Sequence, residues 1–185
     1  MKKEASNLKT AGLLIGLGII YFIIAMIVAE AVYPGYSVSN NYISDLGVGN
    51  TAVIFDPSIV LLGVLLAIGA YLLHRGLKLT IFPALVFIAG ISAIGVGIFN
   101  ESFGIIHGLF SAAVFLFGAV AAIYFGATQK TPIRYPSIVL GVTSLTATVL
   151  FLAGVYLGLG PGGMERMIVY PILLWGVIFA GRFLL

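Results

Sequence analysis

Six long apolar runs separated by short polar interruptions dominate the chain, at about 11–32, 57–73, 80–99, 105–127, 136–157 and 167–184. Each holds ~17–23 residues, enough at 1.5 Å per residue to cross a hydrocarbon core ~30 Å thick with some tilt. A membrane β-barrel would instead alternate apolar and polar residues over weaker segments of about ten residues. The pattern predicts an all-α membrane protein, a six-transmembrane-helix bundle that forms one integral domain over residues 1–185. One connection is long, the outer loop 33–55, reading YPGYSVSNNYISDLGVGNTAVIF. Within it Ser39 suits an N-cap, Val38, Tyr42, Ile43 and Leu46 recur at helical spacing, and Gly47 suits a stop. A short amphipathic helix at the outer interface is expected there, with Tyr33, Tyr36 and Tyr42 among the headgroups.

Local punctuation refines the helix ends. Asp56-Pro57 reads as an N-cap carboxylate before a proline at the first helical position, and Pro136 plays the same part for the fifth helix. Pro171 falls inside the sixth helix, where it frees the carbonyl of Met167, so that face should point into the bundle. Glycines four apart, Gly12/Gly16, Gly104/Gly108 and Gly154/Gly158, together with Gly95 and Gly97, suit close helix packing. They fit a tight monomer and leave a homo-oligomer open. The first run follows Lys2 and Lys3, but its ~18 apolar residues exceed the 7–15 of a signal peptide, so it reads as a retained anchor.

Composition narrows the class further. Of 185 residues, 61% are apolar and 8% charged, against about a quarter charged in soluble domains, which excludes a cytosolic enzyme and a nucleic-acid-binding module. The net charge of +3 is the surplus that orients a membrane protein, and the absence of cysteine removes thiolate chemistry. Lys2, Lys3, Lys9, Arg75, Lys78, Lys130, Arg134 and Arg182 fall on one side and only Arg166 on the other. By the positive-inside rule both termini are cytoplasmic in a multi-pass protein of the cell membrane. The acids Glu30, Asp45, Asp56, Glu101 and Glu165 lie toward the outer face, and Glu4 inside.

The stretch Tyr42-Ile43-Ser44-Asp45-Leu46-Gly47, followed by Pro57, resembles the prokaryotic membrane family known as domain of unknown function 998. The likeness continues through Gly97-Ile98-Phe99-Asn100-Glu101 ahead of His107, and through Gly163, Glu165 and Arg166. It spans essentially the whole chain; Asn100 stands where family members usually carry proline. The YISD element is also similar to one in the Frag1/DRAM/Sfk1 group of six-helix proteins. The resemblance implies a fold and positions to watch, and no reaction.

Those positions form a candidate outer site. Ionisable residues within membrane helices are costly and usually face the interior, where they pair or act. His107, Glu101, Asp45 and Ser44 are the candidate catalytic set, with His107 as general base beside a carboxylate, activating Ser44, Ser102 or a water against a lipid headgroup ester or amide. Arg166, Glu165, Glu30, Tyr42 and Asn100 are the candidate substrate-binding set, Arg166 holding a phosphate or an oxyanion. Three other readings compete. In the first, Arg166 makes structural ion pairs with Glu30, Glu101 or Asp45 while His107 donates to a carbonyl. In the second, His107 with Glu101, Asp45 or Asp56 binds a divalent metal, although the spacing lacks any zinc motif, so no metal or cofactor is assigned. The third is recognition without chemistry. The expected partners are membrane lipids, the expected function is an extracytoplasmic pocket that binds an amphiphile and either cuts or merely holds it, and nucleic acid is excluded.

Overall fold

The structure, a computed structural model, describes residues 2–77, 79–130 and 132–184. Among them are six long helices, α1 (Lys2–Val32), α2 (Ala52–Leu77), α3 (Ile81–Ile98), α4 (Ile105–Thr128), α5 (Arg134–Leu152) and α6 (Gly160–Gly181). All six are long and apolar enough to cross a membrane. An even number of crossings leaves both chain ends on one face, the terminal face, and the 33–51 connection on the other, the loop face. Lys78, one of the residues used to orient the chain, lies outside the described residues.

Each helix packs on the next, and α6 returns to pack on α1. Because α4 also touches α6, α5 lies outside the closure, and α1, α2, α3, α4 and α6 form a ring. Small residues set the close approaches on which membrane helices depend. Between α2 and α3, a Cβ on Gly63 would lie 2.5 Å from the Gly90 carbonyl oxygen; between α1 and α6, one on Gly12 would lie 2.8 Å from that of Ala180. Gly16 also faces Ala180, as its spacing suggested. The other two glycine pairs have different jobs. Gly104, Gly154 and Gly158 take left-handed φ values in turns, and nothing approaches Gly108 within 4 Å. Gly154 ends α5 five residues before the predicted limit, in a Schellman motif: Gly154 N–H donates to the Phe151 carbonyl and Val155 N–H to that of Leu150.

Two helix starts also differ from the apolar pattern. Asp56-Pro57 does not open α2, which begins at Ala52 and carries Pro57 in its second turn. The 3-10 turn Gly49–Thr51 leads directly into that helix and extends it backward, while Val48, in extended backbone, separates it from the turn Ser44–Gly47. Likewise α6 begins at Gly160, with Pro161 in its first turn, so Glu165 and Arg166 lie inside the helix and are buried. Pro171 is buried, as expected of a proline that frees a carbonyl within lipid.

The expected amphipathic interfacial helix is replaced by turns. Ile43 and Leu46, two of its four apolar positions, are buried in the core at 3% and 0% exposure. Ser39 caps no helix; its hydroxyl donates to the Leu159 carbonyl. Side chains of the polar segment Ser37–Asn41 compete for backbone partners: Asn41 Oδ1 accepts from Ser37 N–H, and Ser37 Oγ from Asn40 N–H. At the terminal face the ring is closed by tilted and edge-to-face aromatics, Phe82, Phe125, Trp175 and Phe179, with centroids 4.9–6.3 Å apart. Trp175, buried among them, gives its indole N–H to Ser137 Oγ at 3.0 Å.

Candidate functional site

The first turn of a helix leaves N–H groups without helical partners, and in α6 the long loop supplies one. Gly162 N–H donates to the Ser39 carbonyl at 2.9 Å. Glycine is required at 162, since a Cβ would collide with the Asn41 carbonyl. One turn on, Arg166 gathers three segments. Nη1 donates to the carbonyls of Val38 (3.0 Å), Asn41 (3.2 Å) and Gly162 (2.9 Å). Nη2 donates to Glu30 Oε1 at 2.6 Å and to the Tyr36 hydroxyl. The Arg166 and Glu30 side chains are 5% and 18% exposed. Burial pushes the Tyr36 hydroxyl up to about 12, so it stays neutral and in turn donates to the Tyr42 carbonyl. Both terminal nitrogens of Arg166 are thus used by the protein, and its buried Nε has no hydrogen-bond partner among the described residues. The guanidinium fixes loop, α1 and α6 together instead of presenting its fork to a ligand phosphate.

Beside it the acids meet. Glu165, 6% exposed, accepts from Ile43 N–H across 122 residues of sequence. Asp45 Oδ2 accepts from Asn41 Nδ2 at 2.8 Å and from Tyr42 N–H at 3.1 Å, the carboxylate half of a capping box. The Glu101 carboxyl lies beside the Asp45 carboxyl and the Ser44 hydroxyl. Burial, then the contact with Asp45, raises Glu101 to about 7, because two carboxyls in contact are best satisfied by one shared proton. Tyr42 turns the other way, its ring edge-on to Phe151 at 5.8 Å, and its hydroxyl is raised by burial and then by Tyr156.

A third group surrounds His107, which is 7% exposed. Its Nδ1 lies 2.9 Å from the Phe99 carbonyl and its Nε2 lies 3.1 Å from Ser111 Oγ. A carbonyl only accepts, so Nδ1 carries the proton and Nε2 accepts from Ser111. Asn100 caps the Glu101–Phe103 turn, accepting from Ser102 N–H and Oγ, and reaches Asp56 Oδ2 at 3.4 Å. Its φ of −62° is a value proline also adopts, so a proline here would fit the backbone of the turn but lose the side-chain cap and the contact with Asp56. Glu30, Arg166 and Tyr36 therefore form one centre; Glu165 with Ile43, and Asp45 with Glu101 and Ser44, form a second. Among the described residues, no hydrogen bond joins His107 to either.

Of these groups, Ile43, Ser44, Glu165 and Ser111 open onto one cavity, whereas Arg166, Glu30, Tyr36 and His107 stand outside its lining. This cavity of about 120 Å³ runs inside the ring, lined by α1, α2, α3, α4 and α6 and by Ile43 and Ser44 of the loop, with no residue of α5. Apart from Trp175, whose N–H goes to Ser137, its polar lining is Ser44, Ser111 and Glu165. All three lie toward the loop face. Below them the wall is aliphatic and aromatic, down to Phe179. Glu165 and Phe179 are fourteen residues apart on α6, so the lining extends along about 21 Å of that helix at 1.5 Å per residue. Ser111, absent from the sequence-based candidates, was legible as the residue one turn after His107. Tyr36 carried no such signal, because its partner is 130 residues away.

The model of the family described as "Protein of unknown function (DUF998)" matches residues 16–182, and the chain belongs to that family. No curated protein and no solved structure matches it.

Proposed function

We propose that this DUF998 protein holds the apolar chain of a membrane amphiphile inside its helix ring, with the polar end beneath the long loop and the loop face extracytoplasmic. The observation that carries this reading is the cavity: an apolar shaft whose polar groups are confined to one end. Its lining extends along about 21 Å of α6, more than the ~15 Å of one leaflet, half of a ~30 Å hydrocarbon core, which supports a chain lying along it. Binding sites for such molecules are mostly apolar, with a few placed polar groups that fix orientation. The head best suited to this end is uncharged and donates hydrogen bonds, since Glu165 lines the cavity and Arg166 spends its terminal nitrogens on the loop and Glu30. A monoacylglycerol meets that description, and an anionic phospholipid does not.

The test is native mass spectrometry of delipidated protein titrated with a monoacylglycerol. A one-to-one adduct is expected, weakened at least tenfold by Ala93→Phe, which puts a ring into the cavity from α3. Equal adduct formation by the Ala93→Phe protein, with its fold intact, would place the chain elsewhere.

A further inference from the structure

The geometry points to Ser111 as a nucleophile and His107 as its base, a hydrolytic centre for the ester bond of a long-chain amphiphile seated in the cavity; this rests on the chain-binding reading above. Nucleophilic catalysis needs a hydroxyl within hydrogen-bond reach of a base, and a third group that fixes the base's tautomer. All three are present. Ser111 Oγ lies 3.1 Å from His107 Nε2, and the Phe99 carbonyl lies 2.9 Å from Nδ1. That carbonyl is free for the task because α3 ends at Ile98, where helix carbonyls lose their donors. A main-chain oxygen here takes the orienting part that an aspartate takes in the Ser-His-Asp arrangement. His107 is buried, whereas Ser111 opens onto the cavity, so the nucleophile faces the place where the substrate's chain would lie. Ser44 and Glu165, the other polar groups on that wall, mark the end where a head would sit.

The chemistry balances with water as co-reactant. Ser111 Oγ bonds to the acyl carbon while its proton passes to His107 Nε2. The acyl C–O bond to the head then breaks, and the imidazolium returns the proton to the departing alcohol oxygen. Water, entering at the half-buried Ser44, Asp45 and Glu101, adds to the acyl-serine with His107 again taking the proton. The acyl C–Oγ bond then breaks, the imidazolium returns its proton to Ser111 Oγ and a carboxylic acid leaves, so that ester and water become acid and alcohol. The product acid is anionic at neutral pH and poorly matched to an end that already holds Glu165, which favours its departure.

The rival reading is that Ser111 merely satisfies a buried imidazole. An alkyl fluorophosphonate, which labels activated serines covalently, separates the two when applied to the purified full-length protein. Intact-mass and peptide analysis should find one adduct, on Ser111, absent from Ser111→Ala and formed about 10²–10⁴-fold more slowly by His107→Gln. Fatty acid release from a monoacylglycerol should be lost in Ser111→Ala, whose melting temperature should match that of the parent. Protein that forms the one-to-one monoacylglycerol adduct yet leaves Ser111 unlabelled would overturn the hydrolytic centre and spare the binding reading. Protein that forms no monoacylglycerol adduct would overturn both.

Discussion

Replacing Arg166 by methionine keeps most of the side-chain length and removes the charge, leaving Glu30 and three carbonyls to find other partners. The Arg166–Glu30 contact is 2.6 Å long between side chains 5% and 18% exposed, so little water stands ready to replace it. Breaking a buried pair by removing one partner costs about 3–5 kcal/mol, mostly because the remaining charge is uncompensated. The carbonyls of Val38, Asn41 and Gly162 also lose donors, at about 1–3 kcal/mol for each that stays dry. These costs overlap, and the exposure of Glu30 moderates them, so a loss of about 3–4 kcal/mol is expected. At ~2–4 °C per kcal/mol for a chain of this size, the melting temperature should fall by about 6–16 °C. Thermal unfolding in detergent measures this, and limited proteolysis should show cleavage appearing within 33–51. The double variant Glu30→Gln/Arg166→Met removes the stranded charge and should recover part of the loss, with a coupling within the usual ~0.5–3 kcal/mol. A loss for Arg166→Met below about 1 kcal/mol, the value of a solvated surface pair, would refute the view that this residue fastens the loop.

Glu101 makes stability depend on pH: its carboxyl rises from an ordinary 4.5 to about 7 on folding, so the folded state holds a proton that the unfolded state has released. Stability contributed by that proton is complete below 4.5 and is lost as pH rises to about 7; melts across this range should show a decline that Glu101→Gln flattens. Gly162→Ala drives a Cβ into the Asn41 carbonyl and should destabilise by about 1–3 kcal/mol, the usual cost of overpacking. Gly108→Ala meets nothing within 4 Å in the interior of α4 and should stabilise by about 0.5–1 kcal/mol, so equal melting temperatures for the two glycine variants would contradict the packing described.

The six crossings were legible because hydrophobic length alone specifies them. Their limits were less so, because apolar content does not end a helix; hydrogen-bond geometry does. Thus α5 stops at the glycine of a Schellman motif while Val155 and Leu157 continue the apolar run, and α1 continues through the polar residues Lys2–Thr10, where Leu8 packs over Gly76. In the loop, the spacing of Ile43 and Leu46 anticipated burial but not conformation. There the side chains of Ser37 and Asn41 bond nearby backbone N–H groups instead, and Arg166 holds the Val38 and Asn41 carbonyls from α6. That Arg166 pairs with an acid followed from the rule that buried charges seek partners, but the choice of Glu30 over Glu101 or Asp45 did not. The cavity had no counterpart in the pattern, since a void among five helices depends on side-chain sizes across distant segments.

Trp175 provides the most direct measurement of the central claim, that an apolar chain enters the ring. It is the chain's only tryptophan, lines the cavity and is 5% exposed, so lipid outside the ring scarcely touches it. A monoacylglycerol brominated along its chain quenches indole fluorescence by contact. Saturable quenching of Trp175 is predicted, relieved by the unbrominated lipid and lost in Ala93→Phe. Fluorescence that stays constant at lipid concentrations giving the one-to-one adduct would contradict the account.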